Sequence, residues 1–382
     1  MRGSRRRWPL RVSLLALISM CALAAETVVR AAPVPDSTRV IRVSIPAPSM
    51  RGNRLGAPDS MPIAVYLPPS YATGARRYPV VYFLPGFGDR VRDFVNPRYG
   101  FSLPTTVDSC IAAGSTRELI LVVVNGFNGL GGGFYANTPV VGRWEDWVAS
   151  DAVGWVDAHY RTLAGPASRG LAGHSMGGTG ALRIGIKRPD VFGAVYAMSP
   201  GVFAPQGLEH SVFYSDSVVR RMFREDSVLA ATPPGQRAEK LIADVMGAQD
   251  WDLLISYAYG AAFSPDTTRP YPHVAHPFSF QGGQHVINRA VAARWEAGFG
   301  ALPREARAHA RTLRTIRALG IEYGTQDALG WLPEGCRYFS SVLDSIGVAH
   351  KLAAFEGGHD DHLGERLVTG MLPFFSQALA PQ

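Results

Sequence analysis

The sequence predicts an α/β fold, with a mostly parallel twisted sheet, helices on both faces and a helical cap-like insertion. Three observations support this prediction. Short apolar runs typical of strands buried on both faces of a parallel sheet alternate with segments of helical periodicity. One such run leads through Gly173-His-Ser-Met-Gly177 into a small-residue helix start. Between residues 202 and 314 the alternation stops and helical patterns take its place.

The first 25 residues are expected to be a signal peptide and not part of the fold. Five arginines precede an apolar run from Val12 to Ala24, and Ala22-Leu-Ala24 at its end offers a small-x-small cleavage site. The run is about 13 residues long, too short to span a bilayer comfortably. Twin-arginine export and lipidation at Cys21 are the less favoured alternatives, because Pro9 and Met20 fit those patterns poorly. We therefore expect a periplasmic or extracellular protein with no stable membrane insertion after cleavage.

The basic charge of the chain belongs mostly to this signal peptide. The 25 residues contain five arginines and no acids, so cleavage lowers the formal net charge from +7 to +2. This balance gives no reason to expect nucleic-acid binding. The mature chain keeps Cys110 and Cys336, which can pair in an exported protein. Two cysteines so far apart define no disulfide framework, and their pairing is left open.

The folded domain is expected to span residues 38–382, after a flexible leader at 26–37. Its first strand alternates apolar and polar residues as an edge strand does, and most later strands are nearly continuous apolar runs. The predicted strands of this half are 38–45, 63–67, 79–84, 118–125, 169–173 and 192–198. The predicted helices are 105–113, 144–160 and 177–188. The Gly- and aromatic-rich segment 127–141 is expected to be a loop beside the functional site.

The second half begins with the expected insertion at 202–314, which would serve as a cap or pocket wall. Helical periods at 218–223, 237–245 and 286–299 are separated there by loops that contain Pro and Gly. Its histidines include His210, His273, His276 and His285, and none of these has a partner at a spacing typical of a ligand set. Strands resume at 316–323 and 350–355, and helices are predicted at 332–346 and 363–379.

Ser175 lies between Gly173 and Gly177, which is the spacing of a nucleophile elbow. In such an elbow a strand turns sharply into a helix, and glycines let the turn close without a clash. The serine oxygen is then lifted clear of the sheet, with the Met176 N–H pointing toward an oxyanion formed beside it. The chain has 41 glycines, so the pentapeptide alone is also compatible with an ordinary strand–helix turn.

Asp327 and His359 complete the candidate site. A serine hydroxyl is a weak nucleophile until a base takes its proton, and the base needs an acidic partner to orient it. In one class of α/β folds these groups follow successive strands in the order Ser, acid, His. Asp327 follows a strand and a Gly-bearing turn, whereas the rival acid Glu322 lies within the strand pattern. His359 follows the last predicted strand and two glycines.

The sequence around His359 also leaves alternatives open. Asp360 and Asp361 are too close to His359 in sequence to be its usual partner, and His362 is an alternative base nearer the final helix. The stretch from His359 to His362 has chemically suitable metal ligands. It also has the composition of a loop that bears a catalytic histidine, so no metal is expected there.

The turn Pro85-Gly-Phe-Gly-Asp89 follows a buried strand and suits a backbone that approaches a ligand closely. We expect its Phe87 N–H to be the second oxyanion donor, beside Met176. Phe134, Tyr135 and Trp331 are expected to line the substrate pocket.

The motifs together resemble the esterase D and feruloyl esterase family of α/β-hydrolases. The resemblance covers roughly residues 60–201 and 315–380. It rests on Val65-Tyr-Leu-Pro-Pro69, Phe134-Tyr-Ala-Asn-Thr138, Trp144-Glu-Asp146, residues 173–182 and 187–195, Gly324-Thr-Gln-Asp327 and Gly357-Gly-His-Asp360. It implies an α/β-hydrolase fold, the triad Ser175, Asp327 and His359, and no metal or organic cofactor. Two departures are Pro85, where the family often has His or Ser, and the length of the insertion.

Together these features predict an exported serine carboxylesterase that acts on a small-molecule or saccharide ester, of feruloyl-sugar, acetyl-sugar or short-chain acyl type. The formylglutathione hydrolase branch has similar motifs, but the export signal argues against it. One alternative is an acyltransferase, similar to the secreted mycolyltransferases, that passes the acyl group to a sugar or alcohol. Another is a non-catalytic carbohydrate-binding protein on the same scaffold, and a peptidase is less favoured. The oligomeric state is not predicted.

Overall fold

An eight-stranded sheet lies at the centre of the computed structural model, which describes residues 39–282 and 284–381. The predicted signal peptide, the leader and Cys21 lie outside the described residues. The strands of the sheet are β1 (Val40–Pro46), β2 (Ser60–Tyr66), β3 (Val80–Leu84), β4 (Ile120–Val124), β7 (Arg169–His174), β8 (Ala194–Met198), β11 (Ala318–Gly324) and β12 (Lys351–Phe355). Two small hairpins are formed by β5 (Asn137–Thr138) with β6 (Gly142–Arg143), and by β9 (Phe278–Gln281) with β10 (Gln284–Ile287).

The strands of the sheet follow the order β1-β2-β4-β3-β7-β8-β11-β12. β2 is antiparallel to both β1 and β4, and the six strands from β4 to β12 run parallel. Every residue of β3, β4 and β8 is buried, as their continuous apolar sequences indicate. The predicted mostly parallel sheet is therefore confirmed.

Helices cover both faces of the sheet. They are α1 (Val91–Val95), α2 (Leu103–Ala112), α3 (Trp144–Asp146), α4 (Val153–His159), α5 (Met176–Lys187), α6 (Asp216–Ala231), α7 (Arg237–Ala248), α8 (Trp251–Phe263), α9 (Arg289–Ala308), α10 (Ala310–Leu313), α11 (Trp331–Ser345), α12 (Leu363–Arg366) and α13 (Leu372–Ala378). Val80 and Tyr82 of β3 belong to a core that also contains residues of α4, α5 and α11. Val81 and Phe83 belong to a second core with residues of α2 and α13. This alternation is the two-residue period of a strand buried on both sides.

Two long helices that the sequence predicts each contain a π-helical turn. Trp147–Ala152 joins α3 to α4, and Leu367–Met371 joins α12 to α13. The helix predicted at 286–299 has the wrong start, because Val286 and Ile287 pair in the β9–β10 hairpin. The helix begins at Arg289, where the Asn288 side chain caps it by accepting the Val291 N–H at 3.2 Å.

The described part of residues 202–314 contributes α6 to α10 and the β9–β10 hairpin, and no strand of the central sheet. The neighbouring strands β8 and β11 are parallel, with Ala194 opposite Ala318, so the chain must cross over between them. Helix α9 packs against both α5 and α11. It therefore belongs to the layer of helices on the sheet and serves as this crossover.

Two further observations concern the whole described chain. Cys110 and Cys336 are both buried and unpaired. No helix among the described residues combines the length and the apolar character needed to cross a membrane.

Candidate active site

The site lies where the parallel strands end, and backbone hydrogen bonds continue beyond the strands to connect its loops. The Ser175 N–H donates to the Met198 carbonyl at 2.9 Å, at the ends of β7 and β8. The Ser199 N–H donates to the Glu322 carbonyl of β11 at 2.8 Å. The Gln326 N–H donates to the Gly357 carbonyl at 2.9 Å and thereby joins the loops after β11 and β12. Each loop is thus fixed through its main chain.

The elbow at Ser175 explains why glycines flank this serine. Ser175 has φ 55° and ψ −118°, a conformation that non-glycine residues adopt rarely and at a cost. A Cβ on Gly173 would lie 2.3 Å from the Gly177 backbone, and a Cβ on Gly177 would lie 1.8 Å from the Leu84 carbonyl oxygen. Backbone packs directly on backbone at both positions, so only glycine fits.

Ser175, His359 and Asp327 lie in one hydrogen-bonded chain. Ser175 Oγ is 2.8 Å from His359 Nε2, and His359 Nδ1 is 2.7 Å from Asp327 Oδ2. Because a carboxylate only accepts hydrogen bonds, Nδ1 carries the imidazole proton and Nε2 accepts the Ser175 hydroxyl. The Asp327 side chain is fully buried, whereas that of His359 is 20% exposed. The structure therefore brings together the three residues that the sequence places on separate loops.

The Asp327 loop is built to hold the carboxylate toward His359. Its Oδ1 accepts the Leu329 N–H at 2.9 Å, which leaves Oδ2 for the imidazole. A Cβ on Gly324 would lie 2.4 Å from the Gly357 carbonyl oxygen, so the Gly-bearing turn permits the close approach of the two loops.

The other candidates for the acid and the base, Glu322, Asp361 and His362, make contacts other than with Ser175 or the His359 ring. Glu322 accepts hydrogen bonds from Arg366 Nε at 2.7 Å and from the Tyr196 hydroxyl at 2.6 Å, so both of its oxygens are engaged away from His359. Asp361 accepts the Gly358 N–H at 2.7 Å. The side chain of His362 is 57% exposed and lies 3.6 Å from a carboxylate oxygen of its own helix.

His174, His359 and Asp360 form a group whose possible ligand atoms all lie within 4.8 Å of one another. Both ring nitrogens of His359 are already engaged, by Ser175 and Asp327. His174 is buried, and burial together with the nearby His359 and Arg366 lowers its pKa well below the usual range. His174 is thus neutral and donates Nε2–H to the His359 carbonyl at 3.1 Å. The donor set therefore does not fit a metal without dismantling the hydrogen-bonded chain.

In the loop after β3, the N–H groups of Gly86 and Gly88 donate hydrogen bonds within the protein, and the Phe87 N–H lies between them. The Gly86 N–H donates to Asp89 Oδ2 at 3.2 Å, and the Gly88 N–H donates to the Gly131 carbonyl at 2.9 Å. Within the described residues, neither the Phe87 N–H nor the Met176 N–H at the start of α5 has an acceptor. A Cβ on Gly86 would lie 3.5 Å from Ser175 Cβ, so this loop lies directly against the elbow.

Asp89 supports this loop and was missed from the sequence. Its side chain is buried, accepts hydrogen bonds from Gly86 N–H and the Tyr99 hydroxyl, and lies 3.4 Å from Arg98. Burial raises its pKa, against the lowering effects of Tyr99 and Arg98. The only signal in the sequence is its place at the end of a glycine turn.

The three residues predicted to line the pocket lie at different depths. Tyr135 is fully buried, and its hydroxyl donates to the Pro85 carbonyl at 3.1 Å, so it supports the Phe87 loop from behind. Its predicted place in the pocket lining is therefore wrong. Phe134 is also inside the core, with its ring 6.1 Å from that of Phe87. Trp331 is 9% exposed and stacks on Phe299, with ring centroids 5.6 Å apart.

The comparisons with known proteins agree with this architecture. The model of the Esterase family, described as Putative esterase, matches residues 55–360. An esterase of Mycobacterium tuberculosis is 33% identical over 133 residues, which are 33% of this chain and 26% of that protein. An endo-1,4-beta-xylanase/feruloyl esterase of Xylanibacter ruminicola is 28% identical over 155 residues, which are 38% of this chain and 20% of that protein. The matched region thus spans about a quarter or less of the length of these relatives.

Three solved structures share the fold at low sequence identity. A ferulic acid esterase matches with 18% identity and a TM-score of 0.56, over 89% of this chain and 98% of that chain. The serine hydrolase FphF of Staphylococcus aureus matches with 15% identity and a TM-score of 0.54, over 88% and 98% of the two chains. An S-formylglutathione hydrolase of Agrobacterium tumefaciens matches with 15% identity and a TM-score of 0.51, over 89% and 95%. The family resemblance inferred from the motifs is confirmed, and the chain belongs to the Esterase family with an α/β-hydrolase fold.

Proposed function

We propose that this protein is an exported serine carboxylesterase that forms an acyl-enzyme on Ser175. The proposal rests on the hydrogen-bonded chain from Ser175 through His359 to Asp327. Beside it lie the Phe87 and Met176 N–H groups, which have no acceptor in the part of the chain that the structure describes. A binding module has no need of this arrangement. The export part of the proposal rests on the sequence of residues 1–25 alone.

In the first half of the reaction Ser175 Oγ attacks the ester carbonyl carbon. His359 Nε2 takes the serine proton, and the Asp327 carboxylate stabilises the imidazolium that forms. The carbonyl oxygen becomes an oxyanion that accepts the Phe87 and Met176 N–H groups, each worth about 3 kcal/mol of barrier. The tetrahedral intermediate then expels the alcohol, which takes its proton from Nε2.

In the second half water replaces the alcohol. His359 Nε2 takes a proton from the water as its oxygen attacks the acyl carbon, and the same two N–H groups hold the new oxyanion. The intermediate collapses, Ser175 Oγ regains the proton from Nε2, and the carboxylic acid leaves. All of these steps use protein groups and water.

We propose an ester with an apolar or aromatic acyl group. An aromatic cluster extends from Phe87 through the buried Phe134 and Phe299 to Trp331, so the interior beside the Phe87 loop is apolar. Two of the similar proteins are named for ferulic or feruloyl esters, which have such a group. Feruloyl-sugar, acetyl-sugar and short-chain acyl esters are the candidates to compare.

The proposal is tested with a fluorophosphonate probe on the purified mature protein. We expect a single adduct at Ser175 by intact mass and peptide mapping, and no adduct in the folded Ser175→Ala variant. A panel of the three ester classes follows, with and without an added sugar or alcohol acceptor. Absence of labelling in folded wild-type protein, or full esterase activity in Ser175→Ala, would refute the mechanism. Diversion of the acyl group from water to the acceptor would instead favour acyl transfer.

A further inference from the structure

Arg366, at the end of α12, is a buried cation beside the loop that bears His359. Its side chain is 5% exposed, and that of its partner Glu322 is 6% exposed. Arg366 Nε donates to Glu322 Oε1 at 2.7 Å, and the Tyr196 hydroxyl donates to Glu322 Oε2 at 2.6 Å. The pair therefore joins β8, β11 and the chain that follows β12.

The same guanidinium contacts the main chain of the His359 loop. Arg366 Nη1 donates to the carbonyl oxygens of His359 and Asp361, each at 3.3 Å. The His359 carbonyl also accepts the Nε2–H of His174 at 3.1 Å, from the residue that precedes Ser175. The backbone of His359 is thus held from the elbow on one side and from Arg366 on the other.

The remaining contacts fix the orientation of the guanidinium. Arg366 Nη2 donates to the Ser199 hydroxyl at 2.9 Å, and the guanidinium carbon lies 4.2 Å from the centre of the Phe355 ring. Ser199 itself has a φ of 44° at the end of β8, next to the elbow. A planar fork with all three nitrogens engaged has one orientation, which a lysine could not reproduce.

We propose that Arg366, held by Glu322, is a positioning residue that fixes the backbone of the His359 loop so that the imidazole reaches Asp327 and Ser175 together. The inference rests on the proposed function of Ser175. Removing the guanidinium leaves two loop carbonyls with fewer donors and lets His359 shift relative to both partners. A displacement of about 1 Å at a catalytic group can lower the rate about 10²-fold.

Arg169 provides a matched control, because it lies at the amino end of a strand, away from the loops that bear the site. Arg169, at the start of β7, is 7% exposed and donates to Asp157 Oδ2 at 2.6 Å and to the Val191 carbonyl at 2.9 Å. Loss of either guanidinium breaks an ion pair of a buried arginine, with a buried carboxylate at Glu322 and a partly exposed one at Asp157, so both Arg366→Met and Arg169→Met should lower Tm. Of these two arginines, Arg366 contacts the His359 loop, whereas the hydrogen bonds of Arg169 go to Val191 and Asp157.

The experiment compares Arg366→Met, Arg366→Lys and Arg169→Met with the wild type. We expect Arg366→Met to lower kcat and the fluorophosphonate labelling rate about 10²-fold with little change in KM. Arg366→Lys should recover part of this loss, and Arg169→Met should keep the wild-type kcat at temperatures below its Tm. Equal kcat losses in Arg366→Met and Arg169→Met, or a wild-type kcat in Arg366→Met, would overturn the proposal. If Arg366→Met does not fold, Arg366→Lys decides, because a wild-type kcat there would equally overturn it.

A readout that does not require activity separates this inference from the proposed function. The His359 Nδ1–H, which donates a hydrogen bond to Asp327, should give a far-downfield proton NMR signal that disappears in His359→Ala. We expect this signal to weaken in Arg366→Met and to persist in Arg169→Met. Unlabelled Ser175 in the wild type would refute the proposed function, whereas an unchanged Nδ1 signal in Arg366→Met would refute the positioning role.

Discussion

Replacing Tyr135 by Phe removes one hydroxyl and tests whether this residue supports the Phe87 loop or contacts substrate. The hydroxyl donates to the buried Pro85 carbonyl at 3.1 Å, and the side chain has no exposed surface. Its loss leaves that carbonyl without the donor, which costs about 1–3 kcal/mol of unfolding free energy. Pro85 lies directly before the peptide that presents the Phe87 N–H, so part of the effect should reach catalysis. A displacement that costs 1 kcal/mol of oxyanion stabilisation lowers kcat about fivefold.

Tyr82→Phe is the matched control for this change. Tyr82 is also fully buried, and its hydroxyl lies beside Arg169 with no partner at ordinary hydrogen-bond geometry within the described residues. Its removal should therefore cost less than removal of the Tyr135 hydroxyl, and should leave kcat unchanged. Chemical denaturation and steady-state ester hydrolysis measure both effects. Equal stability losses in the two variants, or a rise in KM with unchanged stability in Tyr135→Phe, would refute the supporting role.

Three further predictions concern the nucleophile, the elbow and the helical segment. Ser175→Ala should lower kcat on the order of 10⁶-fold while the protein stays folded by circular dichroism; substantial residual activity would point to another nucleophile. Gly177→Ala forces a Cβ to within 1.8 Å of the Leu84 carbonyl oxygen and should prevent native folding. Gly154→Ala, by contrast, meets open space on an exposed helical face and should stabilise the protein by about 1 kcal/mol. Comparable yields and Tm values for the two variants would contradict the elbow geometry. Burial raises the pKa of Glu225 to about 7, so the fold favours its protonated form and stability should fall as pH rises from about 4.5 through 7. Glu225→Gln should remove this dependence, and parallel Tm–pH curves for variant and wild type would exclude it.

The central sheet and the hydrogen-bonded residues Ser175, His359 and Asp327 are predictable because each is indicated by a local sequence pattern. Continuous apolar runs identify buried strands, and a glycine must stand wherever backbone approaches backbone, as at Gly173, Gly177 and Gly324. Each of the three site residues follows shortly after a strand of the parallel sheet, so its place at the carboxyl ends of the strands can be assigned one loop at a time. These features could therefore be read from short windows of sequence.

The elements that were missed depend on contacts between distant segments. Helix α8 is buried on nearly every side, so it has no polar face and little helical period to detect. Tyr135 looked like a pocket residue because its loop is rich in aromatics, but its position is set by the Pro85 carbonyl, 50 residues away. Glu322 and Arg366 lie 44 positions apart, and no local pattern indicates that they pair.

The crossover role of α9 restricts where this chain can change in length. A parallel pair of neighbouring strands needs a return segment, and α9 occupies that place between β8 and β11. Chain added or lost between β8 and Arg289 leaves the topology of the sheet intact, whereas loss of α9 removes the segment that returns the chain to it. Among related chains, differences in length should therefore concentrate between β8 and α9, where they leave the elbow and its partners in register.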